Sequence, residues 1–404
     1  MPEPFILLLL LILAIFGLLT SSLFTILVFA GILRFRSRHE SPSLQRNSLP
    51  AVSLLKPLHG AEPNLEAHLE TFFQQNYPAY EILFGARISS DEGLEAARRV
   101  AARYPHIPVK FVLTGEPWHI NAKVSTLELM EKAAAHDIFI VSDSDVRVSP
   151  DYIREVSAPF ARPEVGAVTC LYRGVADRGL WAKLEAVGMS VEMTAGVLVA
   201  DMMEGMQFTL GPTMAVRRSC VREIGGFGAL GAYCADDFVL GNRIHAAGHT
   251  VVLSRHVIDH IVLNVSFADS QKHQIRWMKS TRFSRPKGHF GTCLTFSVPF
   301  GILGFIAALM LHHPVLGAAL LAFSILARMA LAAGIGALVV ADKRLLRTTL
   351  LFPLRDLLGF FYWAASYASN RIVWRNQIYT LSAGGFMLAP DLLDEPKNAP
   401  TVTA

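Results

Sequence analysis

Asp143-Ser144-Asp145 is an acidic pair spaced by one residue, and it follows the apolar run Ile138-Phe139-Ile140-Val141. Carboxylates at that spacing, projecting from the end of a buried strand, can jointly hold a hard divalent cation that also bridges phosphate oxygens. A sugar nucleotide calls for such a cation, Mg2+ or Mn2+, because its diphosphate leaving group gathers negative charge. Alone the pair is a weak signal, since an Asx turn uses the same residues.

Two further groups strengthen it. Ala235-Asp236-Asp237-Phe238 comes after the glycine-rich turn Gly225-Gly226-Phe227 and opens a helical pattern near Val239. A carboxylate there can take the proton of an acceptor hydroxyl as it attacks an anomeric carbon; the plainer reading is a helix cap. In His273-Gln274-Ile275-Arg276-Trp277 the guanidinium of Arg276 offers a planar fork for diphosphate oxygens. Trp277 can pack on sugar, acceptor or membrane interface. An Arg/Trp belt at a membrane edge would use the same residues.

The elements that must position these groups alternate. Strand signals at 52–55, 81–86, 109–113 and 137–142 are separated by helical patterns at 64–75, 91–104 and 122–135. Such alternation predicts an α/β domain with a mostly parallel sheet covered on both faces, binding ligands beyond the carboxyl ends of its strands. Asp143-Ser144-Asp145 falls at one of those ends.

Hydrophobic residues make up 52% of the 404-residue chain and charged residues 17%. The apolar excess collects at the two ends of the chain. Residues 5–33 carry no charge and as a helix would extend about 43 Å, enough to cross a bilayer core of roughly 30 Å. Arg34, Arg36 and Arg38 follow, which predicts an anchor over 1–38 with the chain beyond it inside. The length of the run, and Glu3 before it, disfavour a signal peptide. Residues 292–311 and 315–341 read as a membrane hairpin around His312-His313-Pro314. Residues 357–368, flanked by Arg355-Asp356 and Arg371, are short for a span and read as an interfacial or re-entrant helix, or as a fourth crossing. The expected organisation is thus an anchor over 1–38, a cytosolic catalytic domain over 50–290, a membrane region over 291–380 and a disordered tail over 394–404. A net charge of +4 suggests no nucleic-acid partner, and the four cysteines show no metal-type spacing.

These residues together resemble the ceramide glucosyltransferase family and the bacterial glycosyltransferases associated with hopanoid synthesis, within the GT-A, family-two-like class. Val52-Ser53-Leu54-Leu55-Lys56-Pro57-Leu58 looks like the family's opening strand, continued by Pro63-Asn64-Leu65 and Leu69-Glu70-Thr71-Phe72-Phe73. Ile120-Asn121-Ala122-Lys123 looks like its I-N-x-K segment and Asp143-Ser144-Asp145 like its metal-binding turn. Asp237 falls on the family's base and Arg276-Trp277 on the R-W of its Q/R-x-x-R-W motif. Val373-Trp374-Arg375 and Tyr379 match a short signature near the end. Two departures stand out. The family's first acid would be Asp91, preceded by Ile88-Ser89-Ser90 without further carboxylates, and the Q/R position holds His273. The second acid of the pair, missing from some animal members, leans the chain towards the bacterial branch.

The resemblance implies a GT-A catalytic domain with transmembrane helices at both ends, in a bacterial inner membrane with the catalytic domain cytoplasmic. It implies inverting transfer from a UDP-sugar, UDP-glucose or UDP-N-acetylglucosamine, to the hydroxyl of a membrane lipid such as ceramide or a hopanoid. Asp143 and Asp145 would hold the metal, Asp91 and Lys123 the donor, and Asp237 would be the base. Arg276, with His273 and Lys123, would steady the departing UDP. Residues 189–206, rich in methionine, would border the lipid's entry or form a core helix. A polysaccharide synthase, a polyprenyl-phosphate sugar transferase and, remotely, a non-catalytic scaffold are the other readings.

Overall fold

The computed structural model describes residues 2–38, 49–374 and 377–389. The expected disordered tail and Arg375 lie outside the described residues. An eight-stranded sheet forms the centre of the molecule, built from β1 (Val52–Pro57), β2 (Tyr80–Ala86), β3 (Val109–Leu113), β4 (Ile138–Val141), β5 (Val146–Arg147), β6 (Val165–Ala176), β7 (Met214–Arg217) and β8 (Thr250–Val262). Their order across the sheet is β3-β2-β1-β4-β7-β6-β8-β5. β3, β2, β1 and β4 run parallel; β7 runs against its neighbours β4 and β6, and β5 against β8. The sheet is therefore mostly parallel, as the alternation of strands and helices predicts.

Composition explains the pairing. β2 and β4 are buried along their whole length and, apart from Glu81, whose carboxylate accepts from Ser53 Oγ and the Ala135 amide, read as apolar runs, as strands covered on both faces do. The chain steps outward from β1 to β3 and then returns to the other side of β1 as β4. The switch point of the topology thus lies between β1 and β4, where an open α/β sheet leaves its ligand crevice. Lys56, the penultimate residue of β1, and Asp143, two residues past β4, lie there.

Helix Pro2–Ser37 packs beside the C-terminal helices Val298–Met310 and Pro314–Leu338, and these two in turn pack against Leu345–Ala365. Segments Pro4–Ser37, Leu180–Glu204 and Pro314–Leu338 are long and apolar enough to cross a membrane, which makes this a membrane protein. Leu180–Glu204 passes on length and apolarity but is mostly buried within the protein. It packs so closely on β6 that a Cβ on Gly174 would stand 2.5 Å from the Ala186 carbonyl oxygen. The methionine-rich stretch is therefore a core helix between sheet and membrane helices, and residues 188–193 form a π-helical turn within it.

Two membrane elements differ from the sequence reading. The span expected over 292–311 is broken: Pro286–Thr295 and Val298–Met310 meet at 47°. The short segment expected over 357–368 is the second half of the 21-residue helix Leu345–Ala365. Charge at Arg355-Asp356 marks a boundary in sequence, yet both side chains turn inward and are buried. Asp356 Oδ2 accepts from the amides of Ser297 and Val298 at 2.9 and 2.8 Å, capping the helix at the break. Arg355 donates to Gln274 Oε1 at 2.8 Å.

Candidate active site

Each acidic motif sits where its strand or helix ends. Asp143 lies two residues past the end of β4, after Ser142, and its carboxylate Oδ1 stands 2.6 Å from Lys123 Nζ. Lys123 lies in the first turn of helix Ala122–Ala133, whose N-cap Asn121 accepts from the Lys123 amide. The same ammonium is 3.8 Å from Asp236 Oδ2. Burial works to lower the Lys123 ammonium, but Asp143, Asp236 and Asp237 together outweigh it and hold it above the ordinary lysine range. One cation thus links the two acidic motifs.

Asp236 and Asp237 occupy the first turn of helix Asp236–Ala246 and do not cap it; Ala235 holds the N-cap position. Asp237 Oδ2 accepts from the Gly211 amide at 2.7 Å and Oδ1 from the Phe238 amide at 2.8 Å. Gly211 separates two carboxylates: a Cβ there would stand 3.1 Å from Asp237 Oδ2 and 3.5 Å from Asp143 Oδ2. Burial, with Asp236 next to it, raises the Asp237 carboxyl to about 6.

Asp145 leaves the edge of the sheet through β5. Its carbonyl accepts from the Ile261 amide at 2.8 Å, which pins the turn to β8. Its carboxylate Oδ2 lies 3.0 Å from His260 Nε2, while Oδ1 is buried without a hydrogen-bond partner. Burial raises this carboxyl above the usual range, with His260 opposing the shift and Asp143 adding to it. Among the described residues no three His, Cys, Asp or Glu side chains converge on one point. A cation here would take two protein donors and fill its shell from diphosphate and water, the usual pattern for Mg2+ at phosphates. The orphaned, buried Asp145 oxygen fits that donor set.

Other groups complete the cluster without having been singled out from sequence. Lys56 is fully buried, donates to the Asp143 carbonyl and lies 3.8 Å from the centroid of the Phe72 ring. Burial pulls its ammonium down to about 7. Glu62 accepts from Ser144 Oγ at 2.9 Å, and burial together with Asp145 raises it to about 7. Neither spacing nor periodicity marks these residues; only the fold brings the 56–62 segment against the acidic turn.

Asp91 is held apart from these carboxylates by a different task. It caps helix Glu92–Arg103 through the amides of Gly93 and Leu94, and its second oxygen takes the Gly60 amide at 2.9 Å.

Helix Phe267–Ser284 carries His273, Arg276 and Trp277. His273 Nδ1 meets Glu185 Oε1 at 2.5 Å, and its ring packs on Trp277 with centroids 4.5 Å apart. Burial lowers the Arg276 guanidinium, while Cys234, Glu185 and Asp237 act to hold its proton. Arg276 also lies 6.0 Å from the Trp374 ring. Trp374 ends strand β9 (Arg371–Trp374), which pairs with β10 (Gln377–Ser382), itself paired with β11 (Phe386–Leu388). This small sheet is tied to the loop before Asp236: Cys234 donates its amide to the Gly385 carbonyl and Met387 donates to Ala232. Trp374 and Tyr379 of the C-terminal signature therefore brace the loop that carries Asp236 and Asp237.

The chain matches the family described as "Glycosyl transferase family 21" over residues 10–387. It belongs to that family. This membrane-embedded family 21 glycosyltransferase is similar to ceramide glucosyltransferase 3 of Caenorhabditis elegans, 26% identical over 88% of this chain and 78% of that protein. Ceramide glucosyltransferase 1 of the same organism is 29% identical over 52% of this chain and 45% of its own length. In structure the chain resembles the mannosyltransferase PcManGT from Pyrobaculum calidifontis, solved with GDP-Man and Mn2+. That likeness has a TM-score of 0.50 at 19% identity, over 87% of this chain and 99% of that one, and it gives the GT-A fold.

Proposed function

We propose that this enzyme transfers a sugar, with inversion, from a UDP-sugar to the hydroxyl of a membrane lipid, ceramide or a hopanoid, at the cytosolic face of a bacterial inner membrane. The observation that carries the reading is Lys123 lying between Asp143 and Asp236: a buried cation shared by the donor-side and acceptor-side acids at the sheet's switch point. The ceramide glucosyltransferase relatives support a lipid acceptor, and arginines at the inner end of the first span support the orientation.

Asp143 and Asp145 would hold Mg2+ or Mn2+ against the diphosphate, where the cation supplies charge neutralisation to the leaving group. Asp237 accepts the proton as the lipid oxygen forms its bond to the anomeric carbon and the bond from that carbon to the diphosphate oxygen breaks. Lys123 and Arg276 then face the departing UDP, and preorganised positive charge at a leaving group is a large part of catalysis. Asp91 is assigned to the nucleotide side through the Gly60 loop it tethers, and His273 and Trp277 to holding Arg276 in place.

Lipid mass spectrometry of a host expressing the chain, with Asp237→Ala as control, tests this. A hexosylated ceramide or an N-acetylhexosaminyl hopanoid that disappears in the variant is the expected result. Absence of both products from a host containing both lipids would overturn it. A polyprenyl-phosphate acceptor, which needs no base, would leave Asp237→Asn active.

A further inference from the structure

The basic residues at the inner ends of the membrane helices divide into two kinds. Arg38 is spent on Asp201 in an ion pair, and Arg34 reaches the Met202 carbonyl. Among the described residues, Arg36, Lys343, Arg344 and Arg347 form no ion pair. Arg36 donates to the Leu338 carbonyl at 3.1 Å and so lies against the end of Pro314–Leu338. The link after that helix folds back, with the Asp342 amide on the Gly336 carbonyl at 2.8 Å, which brings Lys343, Arg344 and Arg347 to the same end. Asp342, the acid facing Arg347, spends one oxygen on the Arg344 amide and the other on the Thr348 hydroxyl. Asp259, beyond it, is held between Arg147 and Arg173. Arg347 keeps its Nε buried without a hydrogen-bond partner.

These cations do nothing for the helix they open. Positive charge in the first turn of Leu345–Ala365 opposes the helix dipole, whereas an anion there is favoured by it. The helix itself has two faces. Thr348, Phe352, Arg355, Asp356, Gly359 and Tyr362 are buried, while Leu346, Leu350, Leu354 and Phe361 are between 44% and 74% exposed. Both ends rest on the catalytic domain: Arg173 of β6 donates to the carbonyls of Val340 and Ala341 before the helix, and Lys279 to the Arg371 carbonyl after it. A helix that starts and ends on one side, apolar outward and basic at its start, lies in the bilayer surface among the headgroups. It is also bonded along its length to Phe267–Ser284, which carries Arg276. Gln271 donates to the Tyr362 hydroxyl at 2.7 Å, Arg355 to Gln274 at 2.8 Å, and Arg282 to the Ser366 carbonyl.

We infer that Arg36, Lys343, Arg344 and Arg347 seat the headgroup of an anionic phospholipid, and that a lipid held there steadies the helix carrying Arg276 through Leu345–Ala365. The phosphate of such a lipid brings the negative charge and the acceptor oxygens that these donors lack. The site is separate from the catalytic acids and independent of which sugar and acceptor are joined.

Native mass spectrometry of the full chain in detergent, with equal amounts of phosphatidylglycerol and phosphatidylcholine, tests the site. Wild type should retain phosphatidylglycerol in preference. Lys343→Gln/Arg344→Gln/Arg347→Gln should lose about fivefold of that preference for each charge removed, roughly 10²-fold in all. Lys343→Arg/Arg344→Lys/Arg347→Lys should keep most of it. Should the triple Gln variant not fold, Lys343→Gln/Arg344→Gln decides, since both side chains are exposed, with an expected loss of about twentyfold. Equal retention of the two lipids by wild type, or a preference that survives in the Gln variants, overturns the site. Hydrogen–deuterium exchange in nanodiscs reads the coupling. Residues 267–284 of wild type should exchange more slowly in phosphatidylglycerol than in phosphatidylcholine, and the Gln variants should show no difference. Exchange that is the same in both lipids, with phosphatidylglycerol bound, overturns the coupling and leaves the site standing.

Discussion

Lys123 Nζ lies 2.6 Å from Asp143 Oδ1, so the ammonium from the I-N-x-K segment is the counter-ion of the first acid of the Asp143-Ser144-Asp145 turn. The pair is only partly enclosed, with side-chain exposures of 14% for Lys123 and 33% for Asp143, and Asp236 stands on the other side of the same ammonium. Removing one partner of a fully buried pair costs about 3–5 kcal/mol because the other charge is left uncompensated, and solvent screening at Asp143 brings the loss here below that range. Lys123→Met should therefore lower the thermal unfolding midpoint clearly, and lower kcat/KM by about 10²–10³, the usual loss for one preorganised donor to developing negative charge. Lys123→Arg should recover much of the stability. A Met variant that melts like wild type would show that the ammonium does not hold the acids together.

The pH profile tests Asp237. Burial raises its carboxyl to about 6, with the neighbouring Asp236 adding to the shift. A base must be deprotonated, so kcat/KM should be flat above that value and fall about tenfold per pH unit below it. The sign is opposite to that expected for a general acid, whose activity would fall as pH rises. Asp237→Asn should lose about 10²–10⁴ of kcat while remaining folded, and should lose the acid limb with it.

How much of this was readable in advance follows from where each signal resides. β1, β2 and β4 announce themselves as largely apolar runs, and Asp143, Asp237 and Arg276 sit in short sequence patterns that can be recognised without the fold. Glu62, Lys56, His260 and Glu185 do not. Each is a lone polar residue whose meaning comes from a neighbour distant in sequence, such as Glu185 with His273 or His260 with Asp145. Membrane boundaries failed for the same reason. Arg355 and Asp356 read as the edge of an apolar segment because their partners Gln274, Ser297 and Val298 come from other helices. Asp91 shows the converse: the sequence suggests a nucleotide contact, while the fold uses both carboxylate oxygens on backbone amides.

Arg328 and Asp356 join four membrane elements. Arg328, almost wholly buried on helix Pro314–Leu338, donates to the carbonyls of Thr295 and Ser21 and to Thr25 Oγ1. It stands 3.5 Å from Asp356 Oδ1. Either Arg328→Met or Asp356→Leu alone strands a buried charge and should cost about 3–5 kcal/mol. The double variant removes both charges and should be more stable than the sum of the single losses implies, a coupling of about 0.5–3 kcal/mol. Unfolding midpoints of the four proteins in one detergent measure the cycle. Strictly additive losses would mean that the two residues act separately.

Glu185 sets the register of the helix that carries Arg276. Its side chain is fully buried and accepts from His273 Nδ1, Asn264 Nδ2 and Ser270 Oγ. Burial alone would raise this carboxyl, but the hydrogen bonds and charge from His273, with those from Asn264 and Ser270, outweigh it and hold it below the usual range. Glu185→Ala leaves three donors without their acceptor, and each unmet buried donor costs about 1–3 kcal/mol. Glu185→Gln keeps one carbonyl oxygen and should lie between. Because Arg276 is placed through this helix, the Ala variant should raise KM for the donor more than a general loss of folded protein explains, and the Gln variant should recover part of it. An Ala variant with normal KM and only a lower melting temperature would mean that other anchors position Arg276. The candidates are Gln274 on Arg355 and Lys279 on the Arg371 carbonyl.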